Sequence, residues 1–208
     1  MTQEEFNLWM RRNAPLVESI RKRAFDIHAD VNQHYDRVHP YGFHLQMVAD
    51  FTCRFVAEIC PDPADLPAVI FGAYFHDSIE DARLTYNDVV RIAESYLPHS
   101  TALMAAEIAY ALTNEKGRTR AERADDRYYA GIRTTAYAPL VKMADRLANA
   151  SYSTSGSNTK NHMMAAVYAR ENRHFMQAVG ADGPWDDIRL SIPESMSALL
   201  HKLLDIKS

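Results

Sequence analysis

The chain has 208 residues, of which 47% are hydrophobic and 24% are charged. This length allows one substantial hydrophobic core and is too short for two large domains. The 27 acidic residues outnumber the 23 basic residues, and the formal net charge of −4 excludes the overall basic field typical of nucleic-acid-binding proteins. A polyanionic ligand would therefore need a local cluster of cationic residues or a metal ion.

The two cysteines and the N-terminal residues bear on the cellular location. Cys53 and Cys60 would share one face of a helix, where thiols pack as small hydrophobic groups. Two cysteines in a chain of this length are typical of a reducing compartment. The first residues lack the pattern of a signal peptide, and no run of about 18 apolar residues occurs. We therefore expect a soluble, cytoplasmic protein that does not bind membranes.

Apolar residues follow helical spacing along most of the chain, and no alternating strand pattern bounded by turn residues is found. The predicted helices, in chain order, cover residues 3–36, 43–60, 64–79, 85–96, 100–115, 119–131, 134–152, 159–179 and 193–206. Thr85 and Asp88 are expected to cap the helix that begins there. Residues 153–157 are predicted to form a flexible loop that suits a mobile cover over a site. The fold class is therefore predicted to be all-α, a single-domain helical bundle spanning residues 1–208.

Four ionisable residues follow the apolar part of the third predicted helix within six positions, namely His76, Asp77, Glu80 and Asp81. If the helix continues through them, Asp77 shares a face with Glu80 and Asp81. Three carboxylates this close repel one another, and each tends to hold its proton unless a cation is present. A divalent metal removes this conflict and leaves two carboxylates for proton transfer. The alternative interpretation is an acidic helix end exposed to water.

One histidine and one aspartate are too few ligands for a metal, so further ligands must come from elsewhere in the chain. Asp145 lies within an apolar predicted helix, with Lys142 and Asn149 on its face. A buried aspartate requires a metal or an ion pair, and the adjacent Arg146 offers the ion pair. His44 begins an amphipathic helix, where a lone histidine is more often a core residue than a metal ligand.

Together these residues form an ordered set that resembles the HD superfamily of metal-dependent phosphohydrolases: His44, then the pair His76-Asp77, then Asp145. The motif HDSIED and, about 65 residues later, the segment KMADRLAN resemble more particularly the alarmone hydrolases, meaning the hydrolase domains of the RelA/SpoT type and their small stand-alone relatives. The resemblance extends from about residue 25 to about residue 178 and includes the stretch NEKGRTRAERAD.

The resemblance implies that His44, His76, Asp77 and Asp145 bind one divalent metal ion, with Mn²⁺ expected ahead of other divalent transition metals. It implies that Glu80 and Asp81 activate or orient the attacking water. The residues expected to bind the substrate are Lys142, Arg146, Asn149, Tyr168 and Arg37. Further cationic candidates for the phosphate charge are Lys116, Arg118 and Arg120. Relatives carry a basic segment just before the first histidine, whereas here that segment supplies only Arg37 and His39.

The sequence therefore predicts a metal-dependent phosphohydrolase that acts on a nucleotide, with (p)ppGpp 3'-pyrophosphohydrolase as the particular activity implied. Another nucleotide phosphatase or triphosphohydrolase of the same superfamily is an alternative. A non-catalytic nucleotide-binding regulatory module is the second alternative, although Glu80 and Asp81 would have no physical role in it. The expected partner is a small-molecule nucleotide, not nucleic acid, and a homo-oligomer is compatible with a compact helical chain. Six of the nine histidines are interpreted as surface or capping residues: His28, His34, His99, His162, His174 and His201.

Overall fold

The computed structural model describes residues 1–114, 118–155 and 159–205, except for the side chains of residues 120, 121, 159, 160 and 205. Within these ranges the chain forms α-helices, short 3-10 turns and no β-strand, which confirms the predicted all-α class. The α-helices are α1 (Gln3–Arg12), α2 (Ala14–Asp30), α3 (Gly42–Ile59), α4 (Leu66–Phe75), α5 (Tyr86–Glu94), α6 (His99–Ala111), α7 (Arg120–Arg123), α8 (Asp126–Thr134), α9 (Ala138–Ser155), α10 (Thr159–Val179) and α11 (Glu194–Asp205). No described helix is both long and apolar enough to cross a membrane.

The N-terminal region departs from the single helix predicted for residues 3–36. Pro15 lies in the first turn of α2, where its missing N–H and fixed φ favour a helix start, and Asn13 separates α2 from α1. At the other end of α2, Asn32 has a positive φ of 55°, which stops helical propagation. Residues 31–41 therefore form a connecting segment that leads into α3.

The end of α4 also differs from the prediction. The α-helix stops at Phe75 instead of continuing to residue 79, and residues 76–81 form turns. Both the hydroxyl and the N–H of Ser78 donate to the Phe75 carbonyl, so this side chain and the i−3 bond compete with helical hydrogen bonding. The Asp81 N–H still donates to the Asp77 carbonyl at 2.8 Å, which folds the acidic residues back over one turn.

The helices around α4 place the candidate site residues at the centre of the fold. Helix α3 packs against α4 and α9, and α4 also packs against α2 and α6. Gly72 permits the close approach of α6, because a Cβ atom there would lie 2.5 Å from Ile108 Cγ2. Helix α4 is buried along almost its whole length. A buried helix that ends in ionisable residues delivers them to the interior of the bundle.

Other boundaries follow local chemistry. Thr85 and Asp88 form the predicted capping box at the start of α5. The predicted helix at 119–131 is instead α7 and α8, because Asp125 caps a new helix through the N–H groups of Arg127 and Tyr128. Ser153 and Ser155 belong to α9 and not to the predicted loop, and residues 156 and 157 lie outside the described residues.

Candidate metal centre

Three helices bring the predicted ligands together. His44 lies in the first turn of α3, His76 and Asp77 follow α4, and Asp145 lies within α9. Ligand atoms of His44, His76 and Asp145 all lie within 4.8 Å of one another. Asp77 Oδ2 is 2.9 Å from His76 Nε2 and 3.6 Å from His44 Nε2, while Asp145 Oδ1 is 3.4 Å from His44 Nε2. The four side chains thus converge on one point, and their function as ligands stays a prediction.

The hydrogen bonding of His76 supplies a test of whether this cluster suits a metal. Its Nδ1 lies 2.9 Å from the Ala73 carbonyl oxygen, which can only accept, so Nδ1 carries the proton. In the neutral ring Nε2 then presents a lone pair to Asp77. Although Nε2 and Asp77 Oδ2 are 2.9 Å apart, the contact lacks hydrogen-bond geometry. Two facing electron-pair donors in a buried site are stabilised by a cation, so the residues fit a metal ion with nitrogen and oxygen ligands.

The carboxylates of the cluster are held in their ionised form. Burial raises the pKa of Asp77, but interactions with the neighbouring His76 and His44 rings outweigh burial and hold that pKa well below its usual value. Burial also raises the pKa of Asp145, but Lys142, whose Nζ donates to Asp145 Oδ2 at 2.9 Å, holds it low. Burial lowers the pKa of His44, but Asp145 and Asp77 outweigh burial and raise it to about 9. The cluster therefore attracts positive charge.

Tyr41 supports the centre and was not anticipated from the sequence. Its hydroxyl donates to Asp77 Oδ2 at 2.5 Å, and its ring packs edge-on against His44 with centroids 5.5 Å apart. The Tyr41 ring also stacks on the His28 ring, with centroids 4.7 Å apart. Burial and the charge of Asp77 raise the pKa of Asp81, which follows in the same turn. The available signal was the place of Tyr41 one turn before His44, where the two side chains share a face.

The two acidic residues predicted to act on water differ in environment. Glu80 is exposed, and its Oε2 accepts a hydrogen bond from Asn114 Nδ2 at 2.6 Å. Asp81 is partly buried, and its N–H donates to the Asp77 carbonyl at 2.8 Å. Asp81 therefore lies closer in the hydrogen-bond network to the candidate ligands than Glu80 does.

Asn149 is engaged within the protein. Its Nδ2 donates to the carbonyl and to Oδ1 of Asp145, at 3.0 and 2.6 Å. Its Oδ1 accepts from the hydroxyl of Tyr35 at 3.0 Å, and the Tyr35 ring stacks on His44 with centroids 5.0 Å apart. The amide thus fixes the orientation of Asp145, and the predicted contact between Asn149 and a nucleotide stays a prediction.

Arg146 does not form the ion pair with Asp145 that the sequence offered as an alternative. Its guanidinium lies over the rings of Tyr168 and Phe175, 4.9 and 4.2 Å from their centroids. Its nearest carboxylate is Glu171, with Nη1 3.6 Å from Oε2. Nη1 is buried and forms no hydrogen bond at this distance, so a better-placed acceptor would stabilise it.

Two cavities adjoin residues that hydrogen-bond to Asp145, with Asn149 lining one cavity and Lys142 lining the other. The first, called the aromatic cavity, has a volume of about 770 Å³ and is lined in part by Tyr35, Arg37, His39, Asn149, Tyr152 and Tyr168. The second, called the basic cavity, has a volume of about 680 Å³ and is lined in part by Asn114, Arg123, Lys142, Arg146, Glu171 and His174. All five residues predicted to bind the substrate therefore line one of these cavities. Of the further cationic candidates, Arg118 is exposed, and Lys116 and the side chain of Arg120 lie outside the described residues.

The interpretation of His28 as a surface or capping residue is wrong. The side chain is 1% exposed, and neither ring nitrogen has a hydrogen-bond partner. Burial lowers its pKa from 6.5 to about 4, while the nearby Asp77 charge opposes this change. The spacing of α2 contained the signal, because His28 lies one turn from the buried Ala24.

His28→Phe is expected to make folding less sensitive to acid. Above pH 6.5 neither the folded nor the unfolded state protonates His28; between pH 6.5 and about 4 only the unfolded state does, so the free energy of unfolding falls. At pH 5 this loss amounts to about 2 kcal/mol. The free energy of unfolding of both proteins can be measured by urea unfolding at pH 7.5 and pH 5. Between these pH values the wild type should lose about 2 kcal/mol more than the variant does. If the two proteins differ in free energy of unfolding by the same amount at both pH values, a buried, neutral His28 is contradicted.

The helical architecture that carries the converging cluster is shared with a solved structure. That structure, described as a metazoan ortholog of SpoT that hydrolyzes ppGpp and plays a role in starvation responses, is 20% identical to the chain. The match has a TM-score of 0.55 and covers 92% of this chain and 93% of that chain. No family model matches the sequence, and no curated protein matches it.

Proposed function

We propose that this protein is a metal-dependent phosphohydrolase that acts on a nucleotide and that it removes the 3'-pyrophosphate of (p)ppGpp. The observation that carries the proposal is the convergence of His44, His76 and Asp145 around an unpartnered, buried histidine nitrogen. The shared fold with a protein described as hydrolysing ppGpp supports the choice of nucleotide.

His44, His76, Asp77 and Asp145 would hold one divalent ion, and Mn²⁺ is the first candidate. When bound, such an ion polarises a phosphoryl oxygen and lowers the pKa of water. The protein contributes the orientation of the ligands. The Ala73 carbonyl fixes the tautomer of His76, and Tyr41 and Asn149 each fix a carboxylate by hydrogen bonding.

We assign proton transfer from the attacking water to Asp81, because it is partly buried and its backbone is hydrogen-bonded to Asp77. Glu80, held by Asn114, is assigned to orienting that water. The water oxygen forms a bond to phosphorus, the bond from phosphorus to the ribose 3'-oxygen breaks, and the leaving oxygen takes up a proton. One water is consumed, and the products are pyrophosphate and a nucleoside 5'-diphosphate or 5'-triphosphate, GDP from ppGpp and GTP from pppGpp.

The test is product analysis with Mn²⁺ and a set of nucleotides comprising ppGpp, GTP, GDP and dGTP. We expect release of pyrophosphate from ppGpp, with GDP as the second product, and slower or no turnover of the others. Cleavage of 5'-triphosphates alone would overturn the assignment in favour of a triphosphohydrolase. Binding of ppGpp without turnover, in protein that contains the metal, would indicate a regulatory module.

A further inference from the structure

The two cavities lie in sequence along α9. Lys142 and Arg146 line the basic cavity, whereas Asn149 and Tyr152 line the aromatic cavity. Asp145 lies between these pairs. The helix rises about 15 Å between Lys142 and Tyr152, which is comparable with the length of an extended nucleoside diphosphate. Helix α10 contributes in the reverse order, with Tyr168 lining the aromatic cavity and residues 171–175 contributing to the basic one.

The basic cavity offers hydrogen-bond donors to an anion. Arg123, Lys142 and Arg146 line it, and Glu171 is the single carboxylate among its described lining residues. Arg146 is 8% exposed, and the rings on which it stacks hold its guanidinium in place. Because Nη1 forms no hydrogen bond and Glu171 Oε2 lies 3.6 Å away, a phosphate oxygen that replaced this longer contact would complete its hydrogen bonding.

The described lining of the aromatic cavity has no excess of formal positive charge, unlike that of the basic cavity. Arg37 is exposed at its edge, and Asp36 supplies an opposite formal charge. The oxygens of Asp36 accept from the Tyr152 hydroxyl, from His39 Nδ1 at 3.0 Å and from the N–H of Val38 at 2.7 Å. Asp36 therefore holds residues 36–39 of the connecting segment together and ties them to α9. The described lining consists mainly of rings and amides, which suit an uncharged sugar and base.

We propose that the site recognises its nucleotide asymmetrically: the nucleoside lies in the aromatic cavity, the phosphate chain that is cleaved extends into the basic cavity, and phosphates at the other end of the nucleoside are not recognised. This inference rests on the proposed function and adds to it the class of substrate. A nucleoside 3'-diphosphate with a free 5'-hydroxyl fulfils every requirement of the site.

The decisive comparison is between ppGpp and guanosine 3'-diphosphate, which lacks the 5'-phosphates. We expect values of kcat/KM that agree within about twofold, since one exposed cation contributes little. A value at least tenfold lower for guanosine 3'-diphosphate would overturn the inference while leaving the proposed function intact.

Binding measurements separate the inference from the proposed function. Calorimetric titration of both nucleotides into the Mn²⁺-loaded double variant Glu80→Gln with Asp81→Asn requires no turnover. Equal dissociation constants support asymmetric recognition even if no nucleotide is hydrolysed, and tenfold tighter binding of ppGpp contradicts it. Arg146→Met should weaken both nucleotides about tenfold, the loss expected for a charged hydrogen bond. Unchanged binding of both to this variant would contradict the assignment of the phosphate chain to the basic cavity.

A gain of recognition provides a matched test. Val38 lines the aromatic cavity and is 80% exposed, so Val38→Lys adds a cation with little loss of packing. We expect it to raise kcat/KM for ppGpp relative to guanosine 3'-diphosphate by about two- to fivefold, the range for an exposed ion pair. Val38→Gln adds length without charge and should leave this ratio unchanged. If the lysine variant leaves the ratio unchanged as well, the 5' end of the nucleoside does not face this cavity.

Discussion

Alanine at His44 or at Asp145 should each leave the purified protein with less than about a tenth of the divalent ion of the wild type. His44 Nε2 contacts both carboxylates of the cluster, so its removal takes away a nitrogen ligand and lets two negative charges repel each other. Removal of Asp145 takes away an oxygen ligand and leaves the cation of Lys142 beside the site. Elemental analysis of the metal content measures this loss, and turnover should fall with it.

His99→Gln is the matched control, because His99 is an exposed histidine that contacts Glu94 far from the cluster in the sequence. This variant should retain the metal and the activity of the wild type. Full metal occupancy in either His44→Ala or Asp145→Ala would show that the ligands have been misassigned. Far-ultraviolet circular dichroism of every variant distinguishes loss of the ion from loss of the helices.

Combined replacement Glu80→Gln and Asp81→Asn should abolish turnover while the protein keeps its metal. Both substitutions preserve the shape of the side chain and remove the charge that accepts a proton, a contribution typically worth 10²- to 10⁴-fold. Of the single variants, Asp81→Asn should have the larger effect on kcat, because Asp81 adjoins the ligand network whereas Glu80 is exposed. Single-turnover hydrolysis together with metal analysis measures the two effects separately.

Glu94→Gln provides the corresponding control, since Glu94 is an acidic residue that pairs with the exposed His99. Its turnover should match that of the wild type. If the double variant loses as much metal as His44→Ala, then Glu80 or Asp81 is itself a ligand. If it retains full turnover, the water is activated by another group.

The sequence was sufficient for the parts of the site that depend on residue identity and order. His44, the pair His76-Asp77 and Asp145 were predicted to meet because their types and spacing match a known arrangement, and the structure places them together. Helical spacing likewise predicted most helices, since burial of an apolar face imposes a period of 3.6 residues. The capping box at Thr85 followed from local hydrogen bonding alone.

Features that depend on tertiary packing were not predictable in this way. The end of α4 at Phe75 follows from the hydrogen bonds of Ser78, which compete with a helical pattern that the apolar residues otherwise continue. Tyr41 and His28 stack on each other across α2 and the start of α3, and no periodicity within either segment reveals that contact. The direction taken by Arg146, away from Asp145, depends equally on rings contributed by α10.

The burial of α4 links the candidate centre to the cooperativity of unfolding. The amides of a helix enclosed by its neighbours exchange with solvent mainly through global opening, unlike those of peripheral helices. His76 and Asp77 follow this buried helix directly, so an ion that they hold would stabilise the folded state against the global opening that exposes α4. Ligation would then raise the protection of distant core amides by the same factor as those beside the site, because a single cooperative unit contains both.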